Sequence, residues 1–303
     1  LGRSAASETT LSMVKSGGLR RFCDVSASNW FYSQVVEAST PHNYHLEGTQ
    51  EVWDSYTALS CGLNAGMVTI GNYLYHVNGN GQFDTYSPGR QAIDGKTYYV
   101  NDSGLIPRLS AGVQELGDAL VCVQSDGSLL TSSTYGYLTF GADGAYTSGD
   151  ATLDALVDKA LATATTAGAS AETRLRQAYV YIRDNYSYLS RSHHARGSTD
   201  WTVESATFIL KNGKGNCYCF AAAFLYMARR LGFQAYPISG GVGSNNADHA
   251  WVMINWSDGK TYLFDVELEY AYHHRYTGSR HNPSLDIYKK LRSQYPFAYH
   301  FPS

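Results

Sequence analysis

The sequence predicts an α+β protein, a run of β-hairpins followed by a domain in which helices precede an antiparallel sheet. Three observations predict it. Four Tyr- and Val-rich stretches between residues 72 and 146 each close on a glycine turn. After Asp150, apolar residues recur at helical spacing, and strand-like apolar runs appear only later. The charge also changes sign along the chain. Residues 1–150 hold 7 basic and 14 acidic residues, a net of −7, and residues 151–303 hold 16 and 12, a net of +4. Seven of the ten histidines lie in the second part. Two surfaces, and two domains, are expected to meet near Gly149-Asp150.

Composition narrows the function. At about 150 residues per domain, 303 residues also suggest two domains. With 23 basic and 26 acidic residues, the net charge of −3 leaves no electrostatic footprint for nucleic acid or an anionic membrane. The chain is 44% hydrophobic and 16% charged, enough to bury a core and unlike a disordered polymer. No apolar run approaches the roughly 20 residues of a membrane span. The chain opens at Leu1 without an apolar leader, so a secretion signal is expected outside it. Five cysteines leave at least one unpaired in a monomer.

Three regions are expected: residues 1–62 as an N-terminal segment with a helical reading, 63–149 as the hairpin repeats, and 150–303 as the second domain. The repeats read NYLYHVNGNGQF, GKTYYVNDSGLI, DALVCVQSDGSLL and GYLTFGADGAY, with closing glycines Gly81, Gly104, Gly127 and Gly144. A lone hairpin is marginal in water, so stacked copies must bury each other's faces. These copies resemble the choline-binding or cell-wall-binding repeats of Gram-positive surface proteins. The resemblance implies a cell-wall polymer or glycan as partner and an extracellular or cell-surface location. Where such repeats carry Trp before the tyrosines, this chain has Asn72, Lys96, Asp118 and Tyr135, which argues against choline. A structural β-domain without ligand is the alternative.

Downstream, Leu153, Leu156, Val157, Ala160 and Leu161 have helical spacing, as do Leu175, Ala178, Tyr179 and Ile182. A shorter helix is expected around Val203–Leu210, ahead of the Gly-rich NGKGN turn. A long apolar helix then runs from Cys217 to Leu231 and stops at Gly232, a usual C-terminal signal. Strands are expected over 234–239, 249–256 and 261–268.

Three segments carry candidate chemistry: GNCYCFAAAFLYMARRLGF (215–233), DHAWVMI (248–254) and YLFDVELEY (262–270). In that order they resemble the three blocks of the transglutaminase-like superfamily, which shares Cys-His-Asp logic with papain-type peptidases. The resemblance implies a core of helices packed on an antiparallel sheet. It also implies Cys217 as nucleophile, His249 as base and Asp265 as its orienting partner. Glu267 departs from the family's usual Thr or small residue after the Asp. By the same resemblance, Tyr186 and Tyr188 stand where aromatic residues follow the leading helix, and they are cleft candidates together with Trp251.

Elementary chemistry agrees. A free thiol with a pKa of about 8.5 offers little thiolate at neutral pH. A helix N-terminus and a protonated histidine both favour that form, and Cys217 stands at such an N-terminus. Two residues along a helix is about 200°, so Cys217 and Cys219 point to nearly opposite faces and only one can meet the histidine strand. Cys219 reads as a buried small hydrophobe. A lone Cys-x-Cys lacks the second pair of a zinc site, so no metal is expected, and no cofactor either. The pairs His193-His194 and His273-His274 read as solvated loop residues or as a cleft rim.

The register between the histidine and aspartate strands is a separate test. A two-residue loop on Asp258-Gly259 would set His249 and Asp265 on opposite faces of the sheet. A three-residue loop with Gly259 left-handed sets Asp265 opposite Trp251 and diagonal to His249, within side-chain reach. The second arrangement is expected.

The leading reading is a cysteine-dependent acyl transferase or hydrolase acting on a protein or peptide substrate. Water as acceptor makes it a peptidase or amidase, and a lysine amine makes it a cross-linking transglutaminase. The competing class is a non-enzymatic wall-binding or adhesion protein.

Overall fold

Contacts divide the chain between Ser110 and Ala111, into Leu1–Ser110 and Ala111–Ser303. The computed structural model describes residues 30–39, 42–48, 50–56, 64–79 and 83–302. The helical reading of 1–62 lies outside these up to residue 29. Beyond it, α1 (Tyr32–Ser39) is helical, but the hairpin β1 (His42–Glu47) and β2 (Gln50–Tyr56) follows, with a bulge after Asn43. Cys23 and Cys61 lie outside the described residues.

The first unit continues with hairpins β3 (Gly66–Ile70)/β4 (Tyr73–Val77) and β5 (Gly89–Ile93)/β6 (Lys96–Val100), and with β7 (Ile106–Pro107), which adds to β4. Leu74, Ile93, Tyr98, Val100 and Ile106 form its buried cluster. The second unit opens with two more hairpins, β8 (Gly112–Leu116)/β9 (Ala119–Val123) and β10 (Ser133–Tyr135)/β11 (Leu138–Phe140).

The repeat glycines do not make the hairpins' own turns. Two-residue turns at Gly71-Asn72, Asp94-Gly95, Gly117-Asp118 and Gly136-Tyr137 do that. Gly104, Gly127 and Gly144 close the next turn, each donating its N–H to the carbonyl three residues back (Asn101, Gln124, Gly141) at 2.9–3.0 Å. Their φ angles of 75°, 84° and 82° are why glycine stands there. Gly81 lies outside the described residues.

The division expected near Asp150 is not the one the contacts make, because β8–β11 pack on the helical domain. Arg230 donates to the Asp118 carbonyl at 2.9 Å, and Arg174 pairs with Glu115 at 2.7 Å. The Gln234 side chain accepts from Tyr137 N at 2.7 Å, and the Tyr137 and Tyr236 rings stack.

Three helices come next. Asp150 caps α2 (Ala151–Ala164), Ser170 caps α3 (Ala171–Asn185), and α4 (Thr202–Asn212) ends on left-handed Gly213. Short parallel strands β12 (Ser187–Tyr188) and β13 (Lys214–Gly215) lead to α5 (Cys217–Arg230). Residues 217–228 of α5 are buried all round, the signature of a central helix. It packs on a four-stranded antiparallel sheet of order β16-β15-β14-β17, from β14 (Gln234–Val242), β15 (Ala247–Asn255), β16 (Thr261–Phe264) and β17 (Tyr299–His300).

The β15–β16 connection is the odd loop. Trp256 N donates to Lys260 O, Gly259 N donates to Trp256 O, and Gly259 has φ 77°. Val252 pairs with Phe264, so the chain continues with Asp265 opposite Trp251. The strand expected to reach residue 268 ends at Phe264, however. Asp265 instead caps a short helix, α6 (Val266–Tyr270), with Glu267 and Glu269 in its first turn. No helix among the described residues is long and apolar enough to cross a membrane.

Candidate active site

Cys217 is the first residue of α5, and the start of that helix is held from two directions. The Asn216 side chain accepts from Cys219 N at 3.3 Å as the cap, and its amide donates to the carbonyls of Arg191 and Ser192 at 3.3 Å. Gly215 is required by packing: a Cβ there would run into the Cys219 side chain. Cys219 is fully buried, and burial pushes its thiol pKa up. It is more than a small hydrophobe, since its sulfur accepts from Arg191 at 3.3 Å.

His249 lies near the start of β15, opposite Gly240. Its Nε2 is 2.7 Å from Asp265 Oδ2, and Cys217 is among the groups that raise its pKa. Burial works against the imidazolium. The Asp265 charge and hydrogen bond, with Cys217 adding to them, overcome it and hold the His249 pKa well above the ordinary histidine value.

Asp265 is 1% exposed and has three partners. Oδ1 accepts from Leu268 N at 3.0 Å, while Oδ2 accepts from His249 and from the Tyr299 hydroxyl at 2.8 Å. The helix cap and the histidine contact are thus made by the two oxygens of one carboxylate. Tyr299 arrives on β17, and burial followed by the Asp265 charge raises its pKa well above that of a free phenol. Sequence reasoning missed it, because an aromatic residue 34 positions from its partner leaves no spacing signal.

Trp251, two residues beyond His249, is buried. Its ring stands 6.2 Å from that of His249 and packs edge-on to Tyr299 and Phe301. The tyrosine candidates separate. Tyr188 is coupled electrostatically to Cys217 and Glu267, and Arg275 lies over its ring at 3.8 Å. Tyr186 caps α3 with its ring edge-on to Tyr181, and burial pushes its pKa up to about 12.

The histidine pairs also separate. His193 and His194 flank the ring of Tyr218, next to Cys217, and His193 lies 3.8 Å from Asp248. His273 and His274 instead join Asp184 in a cluster whose ligand atoms lie within 4.8 Å of one another. Arg183 already holds both Asp184 oxygens at 2.7 Å, and His273 Nε2 is engaged with the Leu285 carbonyl. A metal there would have to displace a guanidinium. A cavity of about 540 Å³ is lined by Glu115, Leu120, Gln234 and Trp256. It lies at the far end of β15 from His249, roughly 20 Å away at the strand rise per residue.

Residues 159–265 match the family model described as Transglutaminase-like superfamily. Comparison with curated proteins finds no match. Among solved structures, the chain is similar to choline binding protein F of Streptococcus pneumoniae, in a structure with a peptidoglycan analogue. That match has 19% identity over 28% of this chain and 26% of that one, with a TM-score of 0.22. A TGase matches at 17% over 44% and 33%, TM-score 0.30. The periplasmic domain of TgpA from Pseudomonas aeruginosa matches at 14% over 61% and 69%, TM-score 0.26. The chain thus spans about a quarter of the choline binding protein and a third of the TGase.

Proposed function

From the transglutaminase-like domain at residues 159–265 we propose that the protein is a cysteine-dependent acyl transferase that hydrolyses peptide or amide bonds through an acyl-enzyme on Cys217. The observation that carries this reading is the placement of His249. Its ring bonds the buried Asp265 through Nε2 at 2.7 Å, which leaves the Nδ1 edge for the thiol at the start of α5.

Chemistry follows from that edge. Cys217 Sγ attacks the carbonyl carbon, and His249 carries the thiol proton to the departing nitrogen. Asp265 fixes the ring and stabilises the imidazolium form. As the first residue of α5, Cys217 has a backbone N–H with no acceptor inside the helix, so it is free to receive the developing oxyanion. Water then attacks the thioester, His249 takes its proton, and the thiol is restored. A protein or peptide is the substrate class. Binding of wall polymer by the hairpins, and an extracellular location, rest on the resemblance of the repeats.

Mass spectrometry of peptide mixtures tests the reading, because it separates cleavage from deamidation and from cross-links. Cys217→Ala is expected to abolish turnover and leave the fold intact. Iodoacetamide is expected to label Cys217, 4% exposed, faster in the native protein than the wholly enclosed Cys219. Equal native labelling of both thiols, or full turnover by Cys217→Ala, would sink the assignment.

A further inference from the structure

We propose that Glu267 is a second acid–base group of this site, serving the amine half of the reaction. It hands the departing amine the proton that makes it an ammonium, and removes that proton when an amine enters. The proposal rests on the acyl-enzyme reading above.

The position of Glu267 is unusual for a structural carboxylate. It is 7% exposed, with Oε2 3.9 Å from His249 Nδ1 and Oε1 3.9 Å from Arg275 Nη1. Both separations exceed a hydrogen bond, and no described residue donates one to either oxygen. Arg275 lies over the Tyr188 ring. Glu269, two residues on, shows how this fold treats a structural carboxylate. Its Oε2 accepts from the Tyr179 hydroxyl at 2.7 Å and Ile287 N at 2.6 Å, and its Oε1 accepts from Arg183 at 2.7 Å. A carboxyl this little exposed and without a protein donor is costly unless something else supplies one. The donor that Glu267 lacks is one a ligand can bring.

Geometry identifies that ligand atom. With Nε2 committed to Asp265, Nδ1 is the ring nitrogen left for Cys217 and the reacting nitrogen, and it is the edge that Glu267 faces. Two points 3.9 Å apart leave room for one atom at about 3 Å from each, the distance of a hydrogen bond. A nitrogen there contacts both groups. The groups facing Glu267 are His249 on β15, Asp265 at the head of α6, Arg275 after it, Tyr188 on β12 and Tyr299 on β17. Among them burial dominates and lifts the Glu267 pKa from 4.5 to about 7, so both protonation states are present near neutrality.

The protons balance. In acylation the C–N bond breaks as the C–S bond forms. The nitrogen takes one proton from the His249 imidazolium and a second from the Glu267 carboxyl, and it leaves as an ammonium. In deacylation water attacks the thioester, His249 takes one proton, and the C–S bond breaks. The carboxylic acid product then ionises and reprotonates Glu267. An ester leaving group departs as a neutral alcohol after a single proton, so it has no use for the second group.

The test compares an amide and an ester with the same acyl group, turned over by the full chain. Glu267→Gln is expected to lower the amide-to-ester ratio of kcat/KM by about 10²-fold and to remove the limb near pH 7 from the amide profile. Glu267→Asp is expected to restore part of the ratio, which guards against a folding defect in the first variant. An unchanged ratio, whether both rates fall together or neither falls, would overturn the role of Glu267. Intact-mass analysis of the wild type with the ester is expected to show an acyl adduct on Cys217. Its absence would overturn the acyl-enzyme reading beneath the proposal.

Discussion

Replacing Glu267 with Gln also tests the energetics of the site without any substrate. The carboxyl titrates at about 7 in the fold against 4.5 for a free glutamate, because it is buried. A raised value means that the folded state binds this proton more tightly than the unfolded chain does. The associated stability is complete below pH 4.5 and is lost as pH rises through 7. At ~1.4 kcal/mol per pH unit, the loss over that interval comes to ~3 kcal/mol. His249 also has a raised pKa and adds a loss of the same sign as pH rises in both proteins. Urea or thermal unfolding of wild type and Glu267→Gln between pH 4.5 and 8.5 is therefore expected to diverge. The variant gains ~3 kcal/mol on the wild type across the range. In Tm that is roughly 6–12 °C for a domain of this size. A difference that does not change with pH would show that Glu267 is ionised throughout and would refute the argument from burial.

The remaining predictions concern Asp265 and the division of the chain. Tyr299→Phe removes one of the two donors to Asp265 Oδ2. It is expected to lower kcat about tenfold at constant KM and to destabilise the domain by ~1–3 kcal/mol; steady-state kinetics and urea melts read the two effects, and wild-type kcat would exclude a positioning role. A fragment starting at Ala111 is expected to fold cooperatively and turn over a small substrate. One starting at Asp150 is expected to aggregate, because it lacks the hairpins that engage Arg230, Gln234 and Tyr236. Light scattering and circular dichroism on both fragments check this.

Much of the second domain was legible in the sequence because the signals are local. Apolar positions at a period near 3.6 marked α2 and α3, since each hides one face, and a continuous apolar run marked α5, which hides its whole surface. Gly259 set the β15–β16 register, because the odd loop needs a left-handed residue and only one pairing leaves His249 and Asp265 on a common face.

Other features had no local signal. Period-two reasoning carried β16 through residue 268, whereas the Asp265 side chain turns the chain into α6, a choice that depends on Leu268 N, His249 and Tyr299 together. The boundary at Ser110 escaped notice because β8–β11 share the composition of the earlier hairpins and differ only in what they pack against. Glu267 and Glu269 are the same residue in the same short helix. One is saturated with hydrogen-bond donors and the other has only His249 and Arg275 at 3.9 Å. Residue type and spacing along one segment determine secondary structure and register. The protonation and partners of a buried carboxyl depend on desolvation and on atoms delivered from distant segments, so the tertiary structure alone decided them.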